Sequence, residues 1–247
     1  MRFPTDSGQL APKFDPFGEN VLAEIMAVIV TAWSKVRRFT DEEIRSRSRR
    51  KGKRKKTAPP VQPLENWITR RLARIIRFDP AFRDIPFDVN TQVETLEIED
   101  DPDKLDLHFK HRHSQRDYFA FEAKRLHVKY PGGSRPLEYG AYTSDKGMGA
   151  YVIGQYSEGL PAAGMLGYVM DGETQAAWSG LDASIQGRRE PLKMAAGAKL
   201  EISALHHLME RGNPGTLLGE TLHHLAAGVM RIFHLLVPYP ASDKCSS

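Results

Sequence analysis

The chain has 247 residues, of which 40% are hydrophobic and 27% are charged, and it can therefore bury a substantial core. Its single cysteine, Cys245, excludes an internal disulfide and a cysteine-based zinc site. The net charge of +4 is misleading, because residues 45–56 carry nine basic and no acidic side chains and leave −5 (+4 less nine) on the remainder.

The sequence carries no sign of export or membrane anchoring. The first ten residues, MRFPTDSGQL, lack the basic-then-apolar order of a signal peptide. The longest apolar run, Ile25 to Trp33, is too short to span a bilayer. We therefore expect a cytoplasmic protein with no membrane partner.

An amphipathic helix is predicted between Gly18 and Phe39, after an extended arm over residues 1–17 that contains three prolines. Its apolar residues recur at three- and four-residue spacing and form one stripe. That stripe needs a partner surface, which is the core of the chain, a second copy of the chain or another protein. Residues 1–44 are thus predicted to form an N-terminal helical extension.

A basic, proline-containing linker is predicted over residues 45–63. Like-charge repulsion and the prolines near its end argue against packed structure. Contact with a nucleic-acid phosphate backbone would use this charge, whereas a solvated linker or a localisation-like tract would not. The candidate nucleic-acid-binding residues are Arg49, Arg50, Lys51, Lys53, Arg54, Lys55 and Lys56.

Residues 64–247 are predicted to form the main domain, of the α/β class. An amphipathic helix spans Leu64 to Phe78, with Glu65 near the positive end of its dipole. Three strands follow, at roughly Phe87 to Glu99, Leu105 to His111 and Tyr118 to Leu126. Their short connections favour an antiparallel meander.

The second half of the domain continues as alternating helices and strands. The predicted elements are a helix from Met148 to Leu160, a strand from Gly164 to Met170, a helix from Glu173 to Gln186 and a strand from Leu200 to Leu208. The apolar runs in residues 199–209 and 221–237 match strand and helix patterns almost equally well, and the strand at Leu200 to Leu208 is the preferred interpretation of the first of them.

A charged motif lies in the strand Tyr118 to Leu126, which reads YFAFEAKRL. Strand side chains alternate, so Glu122 and Lys124 share one face. Asp106 lies between two leucines in the preceding strand. Two carboxylates, with the backbone carbonyl of Ala123 as a third oxygen, suit Mg²⁺, and Lys124 is placed to position or deprotonate an attacking water. These groups together predict metal-assisted phosphodiester hydrolysis.

Asp106 followed by Glu122-Ala123-Lys124 resembles the signature of the PD-(D/E)XK, or restriction endonuclease-like, nuclease superfamily. The resemblance covers roughly residues 61–237, although Lys104-Leu105 stands where the eponymous proline would precede Asp106. It implies a restriction endonuclease-like core, with a central mixed β-sheet flanked by helices. It also implies a further acid from the preceding helix, here Glu65, and a polar residue from the following one, here Gln155.

The resemblance further implies a Mg²⁺-dependent nuclease, with Mn²⁺ able to substitute. DNA is favoured over RNA as substrate, and bacterial or phage defence or DNA repair is the usual setting. The choice between endonuclease and exonuclease stays open. Gln155 and Lys124 join Asp106 and Glu122 as the candidate catalytic residues.

Other interpretations compete with this one. Glu122 and Lys124 also suit a surface ion-pair ladder, and Glu65 suits helix-end electrostatics. Zinc is a weaker alternative, because the histidine spacings match no HExxH pattern. The competing functions are a non-catalytic nucleic-acid-binding or assembly module and an effector that is active only with a partner protein.

Overall fold

The computed structural model describes residues 18–36, 64–91, 93–94, 104–112, 118–128, 138–156, 160–208, 213–226 and 228–239. The predicted arm over residues 1–17 and the basic linker, with its seven candidate nucleic-acid-binding residues, lie outside the described residues. The helices are α1 (Glu19–Trp33), α2 (Leu64–Phe78), α3 (Tyr139–Thr143), α4 (Met148–Val152) and α5 (Thr174–Gly187), with short 3₁₀ helices at Pro80–Phe82 and Ala204–Leu208. The strands are β1 (Phe87–Asn90), β2 (Val93–Glu94), β3 (Lys104–Leu105), β4 (Leu107–His111), β5 (Tyr118–Leu126), β6 (Ala162–Val169), β7 (Glu201–Ile202), β8 (Leu217–Leu225) and β9 (Gly228–Pro238).

Seven of these strands form one mixed sheet in the order β1-β4-β5-β6-β9-β8-β7. The first three, β1, β4 and β5, pair antiparallel and confirm the predicted meander. β5, β6 and β9 pair parallel, and β8 and β7 extend the sheet antiparallel. β2 and β3 pair with each other in a separate two-stranded sheet. The α/β class with a central mixed sheet is therefore confirmed.

Helices cover both faces of the seven-stranded sheet. Alternate residues of β5 divide between two cores: Phe119 and Phe121 pack with α1 and α2, whereas Ala120 and Leu126 pack with α3, α4 and α5. The period of two in a strand produces this division. The molecule thus has three layers, with the charged motif in the middle one.

α1 packs on the chain itself. Trp33 is fully buried, stacks on Tyr168 of β6 with ring centroids 5.0 Å apart, and donates from Nε1 to the carbonyl of Pro238 at 2.8 Å. The apolar stripe predicted to need a partner surface therefore finds it in the chain's own core. An oligomer or partner protein is not needed to cover this helix.

Several boundaries differ from the predicted ones. The first helix, predicted to reach Phe39, ends at Trp33. The first predicted strand ends at Asn90, and Val93–Glu94 belongs to the other sheet. The helix predicted to reach Leu160 ends at Val152. The strand predicted over Leu200 to Leu208 is wrong beyond Ile202, because the Ser203 hydroxyl accepts from the Leu205 amide at 3.3 Å and turns the chain into a 3₁₀ helix.

The other predicted elements of the second half are present. β6 and α5 confirm the predicted strand and helix. The ambiguous residues 221–237 form most of a hairpin of β8 and β9, with Gly228 at φ +132. Within the described part of the chain, no helix combines the length and apolarity needed to cross a bilayer.

Candidate active site

The candidate site lies along the part of β5 that β4 does not reach. The β4–β5 ladder ends where Leu107 pairs with Phe121, because the chain bends at Asp106 between β3 and β4. β5 continues to Leu126 and pairs there with β6 on its other side. The N–H and C=O groups of one strand residue point to the same side. Alternate residues of β5 therefore present their backbone groups to an open edge.

Two carboxylates from distant parts of the chain bond to this edge. The Ala123 amide donates to Asp106 Oδ2 at 3.0 Å, and the Arg125 amide donates to Glu65 Oε2 at 2.9 Å. An unpaired buried amide is costly, and a hydrogen bond to a carboxylate is roughly twice as strong as one between neutral groups. The two side chains thus replace the missing strand and are held beside the motif.

α2 brings Glu65 to this position from the face opposite α3, α4 and α5. The Tyr168 hydroxyl on β6 donates to Thr69 Oγ1 at 2.9 Å, and the Thr69 hydroxyl donates to the Glu65 carbonyl at 3.0 Å. These buried bonds fix the first turn of α2 against the sheet. The carboxylate of Glu65 is therefore a component of the candidate site, in addition to lying at a helix end.

Glu122 and Lys124 form an ion pair on one face of β5. Lys124 Nζ donates to Glu122 Oε1, and the two side chains are only 15% and 6% exposed, respectively. The surface ion-pair ladder considered from the sequence is therefore wrong, because this pair is largely buried. The second oxygen, Glu122 Oε2, is buried and has no hydrogen-bond partner among the described residues.

Two carboxyl groups at the site, those of Glu122 and Glu65, have raised pKa values. The pKa of Glu122 is raised to about 8, with burial as the main cause; the nearby Asp106 and Glu65 carboxylates add to the effect of burial, and Lys124 opposes them. Burial also raises the pKa of Glu65, against the lowering influence of Lys124. The charges of these groups interact, so Glu65, Asp106, Glu122 and Lys124 form one electrostatic cluster.

The Lys124 side chain stays protonated in this environment, because its pKa is raised. Burial lowers its pKa, but the carboxylates of Glu122, Glu65 and Asp106 together outweigh burial, and the pKa lies above its ordinary value. A lysine with a raised pKa is a poor general base near neutral pH. The side chain is better suited to neutralise charge and to position a water or phosphate oxygen.

The donor set fits a hard divalent cation in part. Among the described residues, no three acidic, histidine or cysteine side chains are arranged as a ready metal site. However, a buried carboxylate oxygen without a partner is costly and calls for a proton or a cation, and Glu122 Oε2 is such an atom. Asp106 lies beside it, and the Ala123 carbonyl faces the same open edge as the Ala123 amide. These oxygens are of the kind that Mg²⁺ binds.

Two residues at the site were not predicted as functional. Tyr151 of α4 is fully buried and donates to the Ala120 carbonyl at 3.2 Å; burial, with Glu122 and Asp106, raises its pKa well above the ordinary value. Arg125 lowers the pKa of Glu65, and the Arg125 Nε is buried with no hydrogen-bond partner in the described part of the chain. In the sequence, the signal for Arg125 was its position directly after the Glu122-Ala123-Lys124 motif. For Tyr151, the sequence offered only its position on the predicted helix.

Gln155 lies in the turn after α4 and not on a helix. Its backbone amide donates to the Ala150 carbonyl at 2.9 Å. Among the described residues, no hydrogen bond joins the Gln155 side chain to the carboxylates of Asp106 or Glu122. Its predicted catalytic role stays a prediction.

The described histidines are dispersed and bonded to protein groups in several places. His108 is buried against Tyr118, with ring centroids 4.8 Å apart, and burial together with Lys110 lowers its pKa to about 4. His206 accepts from the Leu218 amide at 3.3 Å. His223 and His234 belong to another buried chain of hydrogen bonds in the β8–β9 hairpin. These positions do not converge on the candidate site.

No protein-family model matches the chain, and searches of the curated proteins and of the solved structures found no match.

Proposed function

We propose that this chain is a metal-dependent nuclease with a restriction endonuclease-like core, which hydrolyses phosphodiester bonds in DNA in preference to RNA. The proposal is carried by the buried carboxylates of Asp106 and Glu122 beside Lys124 at the open edge of β5, with one Glu122 oxygen lacking a partner. The order of elements supports it, because an antiparallel meander leads into β6, which is parallel to β5. Bacterial or phage defence or DNA repair in the cytoplasm is the proposed setting.

Asp106, Glu122 and the Ala123 carbonyl would hold Mg²⁺, or Mn²⁺ in its place, with Glu65 as a further acid. A bound divalent cation supplies Lewis acidity at a phosphate oxygen and lowers the pKa of bound water. Glu122, as a ligand, would no longer hold the Lys124 ammonium as its sole partner. Lys124 would then donate to the attacking water or to a phosphate oxygen.

The nuclease proposal is tested on supercoiled plasmid, linear duplex, single-stranded DNA and RNA, each with Mg²⁺, Mn²⁺ or EDTA. We expect metal-dependent cleavage that falls at least about a hundredfold in Glu122→Gln and in Lys124→Met, as for loss of a group that stabilises the transition state. Relaxation or linearisation of the closed plasmid identifies an endonuclease. Cleavage of linear substrate alone identifies an exonuclease.

The chain offers a matched control for these variants. Lys199 and Glu201 have the same two-residue spacing and lie 3.9 Å apart, but their side chains are 65% and 63% exposed. Lys199→Met and Glu201→Gln are expected to cleave like the unaltered protein. Equal cleavage by the site variants, or no cleavage by the unaltered protein with any metal, would contradict the proposal.

A non-catalytic nucleic-acid-binding module is the second candidate. The observation that favours it is that Lys124, Ala123 and Arg125 already supply hydrogen bonds to the three carboxylates. Binding by such a module would survive EDTA and the Lys124→Met change, and no substrate would be cleaved.

A further inference from the structure

A basic groove lies on the outer face of α2, away from the candidate active site. It has a volume of about 570 Å³ and is open to the surface. We call it the arginine groove. It is lined by Lys35, Trp67, Arg70, Arg71, Arg74, Ile75, Phe78 and Asp79.

The helical period places these side chains opposite Glu65. Residues 67, 70, 71, 74, 75 and 78 recur at three- and four-residue spacing and so share one face of α2. Thr69, Leu72 and Ile76 occupy the other face and are buried against the sheet, on the side where Glu65 reaches β5. The arginine groove is therefore a separate site from the carboxylate cluster.

Two arginines of the arginine groove, Arg70 and Arg74, have no acidic partner among the described residues. The acidic residue of the groove, Asp79, accepts from Lys35 and from the Ala81 amide, and the bond to Lys35 lowers the pKa of Asp79. Arg70 and Arg74 are exposed, and among the described residues they make no hydrogen bond or ion pair. α2 has no acid after Glu65 to pair with them. Like charges four residues apart destabilise a helix, so an anion bound between Arg70 and Arg74 would relieve their repulsion.

The shape and the other side chains favour phosphate groups carried on nucleic acid. Arginine binds phosphate through paired N–H donors. Phe78 lines the arginine groove and is 73% exposed, so its aromatic ring is available beside the arginines for contact with a base or sugar. Phe78 is the most exposed of the large hydrophobic residues in the described part of the chain.

We propose that the arginine groove is a nucleic-acid-binding exosite, which holds the phosphate backbone through Arg70 and Arg74 at a distance from the cleaved bond. The choice of nucleic acid as the anion rests on the proposed nuclease function, whereas the absence of acidic partners for Arg70 and Arg74 among the described residues does not. An acidic polypeptide is the competing occupant.

The test is equilibrium binding of the full chain to fluorescein-labelled 30-nucleotide duplex and single-stranded DNA in EDTA, measured by anisotropy between 50 and 300 mM salt. Each arginine–phosphate contact contributes about 0.9 to the slope of log affinity against log salt for duplex DNA, and about 0.7 for a single strand. Arg70→Gln/Arg74→Gln is therefore expected to lower the duplex slope by about 1.8. At 0.1 M salt it is expected to weaken binding by at least about tenfold.

Lys146→Gln/Lys193→Gln is the charge-matched control, since both lysines are exposed in the half of the molecule that packs on the opposite sheet face. It is expected to bind with the slope of the unaltered protein. An unchanged slope in the arginine variant would overturn the exosite and favour an acidic polypeptide. An equal loss in both double variants would overturn it in favour of a general charge effect, and circular dichroism confirms that each variant is folded.

These outcomes are separate from those of the cleavage test. If the unaltered protein cleaves DNA and Arg70→Gln/Arg74→Gln has the same salt slope, the nuclease proposal stands and the exosite proposal fails. If the protein binds DNA through Arg70 and Arg74 but cleaves no substrate, the exosite proposal stands and the nuclease proposal fails. If the protein binds no nucleic acid, the exosite proposal fails, and the cleavage assay alone decides the nuclease proposal.

Discussion

Four buried side chains in the second half of the molecule form a chain of hydrogen bonds with a single consistent direction. His223 Nδ1 lies 2.7 Å from the Leu192 carbonyl and must donate to it. A neutral His223 then accepts at Nε2 from the Thr221 hydroxyl at 2.7 Å. The Thr221 oxygen in turn accepts from His234 Nε2 at 2.8 Å. His234 Nδ1 accepts from the Tyr142 hydroxyl at 3.1 Å. Each N–H and O–H hydrogen in this chain therefore has one possible acceptor, and each imidazole is a neutral ring with a single tautomer.

Thr221→Val removes the central link of this chain with little change in volume. It leaves Nε2 of both His223 and His234 without a partner in a fully buried environment, and each orphaned group costs about 1–3 kcal/mol. We expect the free energy of unfolding, measured by urea titration at pH 7.5, to fall by about 2–5 kcal/mol. Thr216→Val is the matched control, because Thr216 Oγ1 is buried without a partner and its loss is expected to be neutral or stabilising. A similar loss in both variants would mean that the hydrogen bonds of Thr221 are unimportant.

The same histidines predict that stability is lost in acid. Burial, and then the neighbouring His223, lowers the pKa of His234 to about 3, and burial lowers the pKa of His223 although its bond to the Leu192 carbonyl opposes this. The unfolded chain binds these protons near pH 6.5, so stability is full above that pH and falls as pH decreases toward 3. His234→Gln cannot titrate, and we expect its urea midpoint to fall less between pH 7 and pH 4.5 than that of the unaltered protein. Parallel pH profiles for the two proteins would exclude His234 as the cause.

Single residues also show what the sequence could and could not predict about the candidate site. Asp106, Glu122 and Lys124 were predicted because each places a charge in a strand pattern that otherwise buries apolar side chains. The contact between Glu65 and the Arg125 amide joins residues 60 positions apart, and no local pattern encodes it. The bend at Asp106, which opens the edge of β5, was not predicted either. A strand prediction assumes that side chains alternate without a break, and the bend breaks this alternation.

At the scale of elements, sustained periodicity predicted several long elements well, but it left the long strands β8 and β9 undecided and predicted the short elements poorly. β6 and α5 agree with the predictions, since an eight-residue strand with seven buried residues and a fourteen-residue helix each give a sustained pattern. α3 and α4 have five residues each, too few for a period to be read, and their positions depend on tertiary contacts. One such contact holds α3: His127 Nδ1 lies 3.0 Å from Asp171 Oδ1, and its Nε2 lies 2.5 Å from Tyr139 Oη.

Gly180→Ala tests the close packing of α3 on α5. A Cβ at Gly180 would lie 2.2 Å from Tyr139 Oη, whose position His127 fixes. Overpacking of this kind costs about 1–3 kcal/mol and outweighs the roughly 1 kcal/mol that alanine otherwise gains over glycine in a helix. We therefore expect Gly180→Ala to lower the thermal midpoint. Gly187→Ala, at the end of the same helix with no atom within 4 Å of its added Cβ, is expected to be neutral or stabilising. A gain in both variants would show that Tyr139 moves aside freely.

At the scale of the whole molecule, α1 belongs to one of the three layers although the sequence suggested an extension that could be detached. Ile25, Met26, Ile29 and Trp33 are 0–1% exposed and pack in the same core as α2 and the β5 face. Arg231 of β9 extends the attachment: it pairs with Glu19 at 3.3 Å and with Glu220 of β8 at 2.9 Å. α1 thus helps to hold α2, and α2 carries Glu65 into the candidate site.

Trp33→Ala tests whether this layer is needed for the fold. It removes a buried ring that stacks on Tyr168 and a hydrogen bond to the Pro238 carbonyl, and truncation of a buried tryptophan costs about 3–5 kcal/mol. Such a loss is a large share of the stability of a typical domain, so we expect a much lower urea midpoint by circular dichroism and partial unfolding at 37 °C. Ile153→Ala is the control, because Ile153 is 60% exposed and its truncation is expected to change little. If Trp33→Ala keeps the midpoint of the unaltered protein, α1 is a separable extension, and the position of Glu65 does not depend on it.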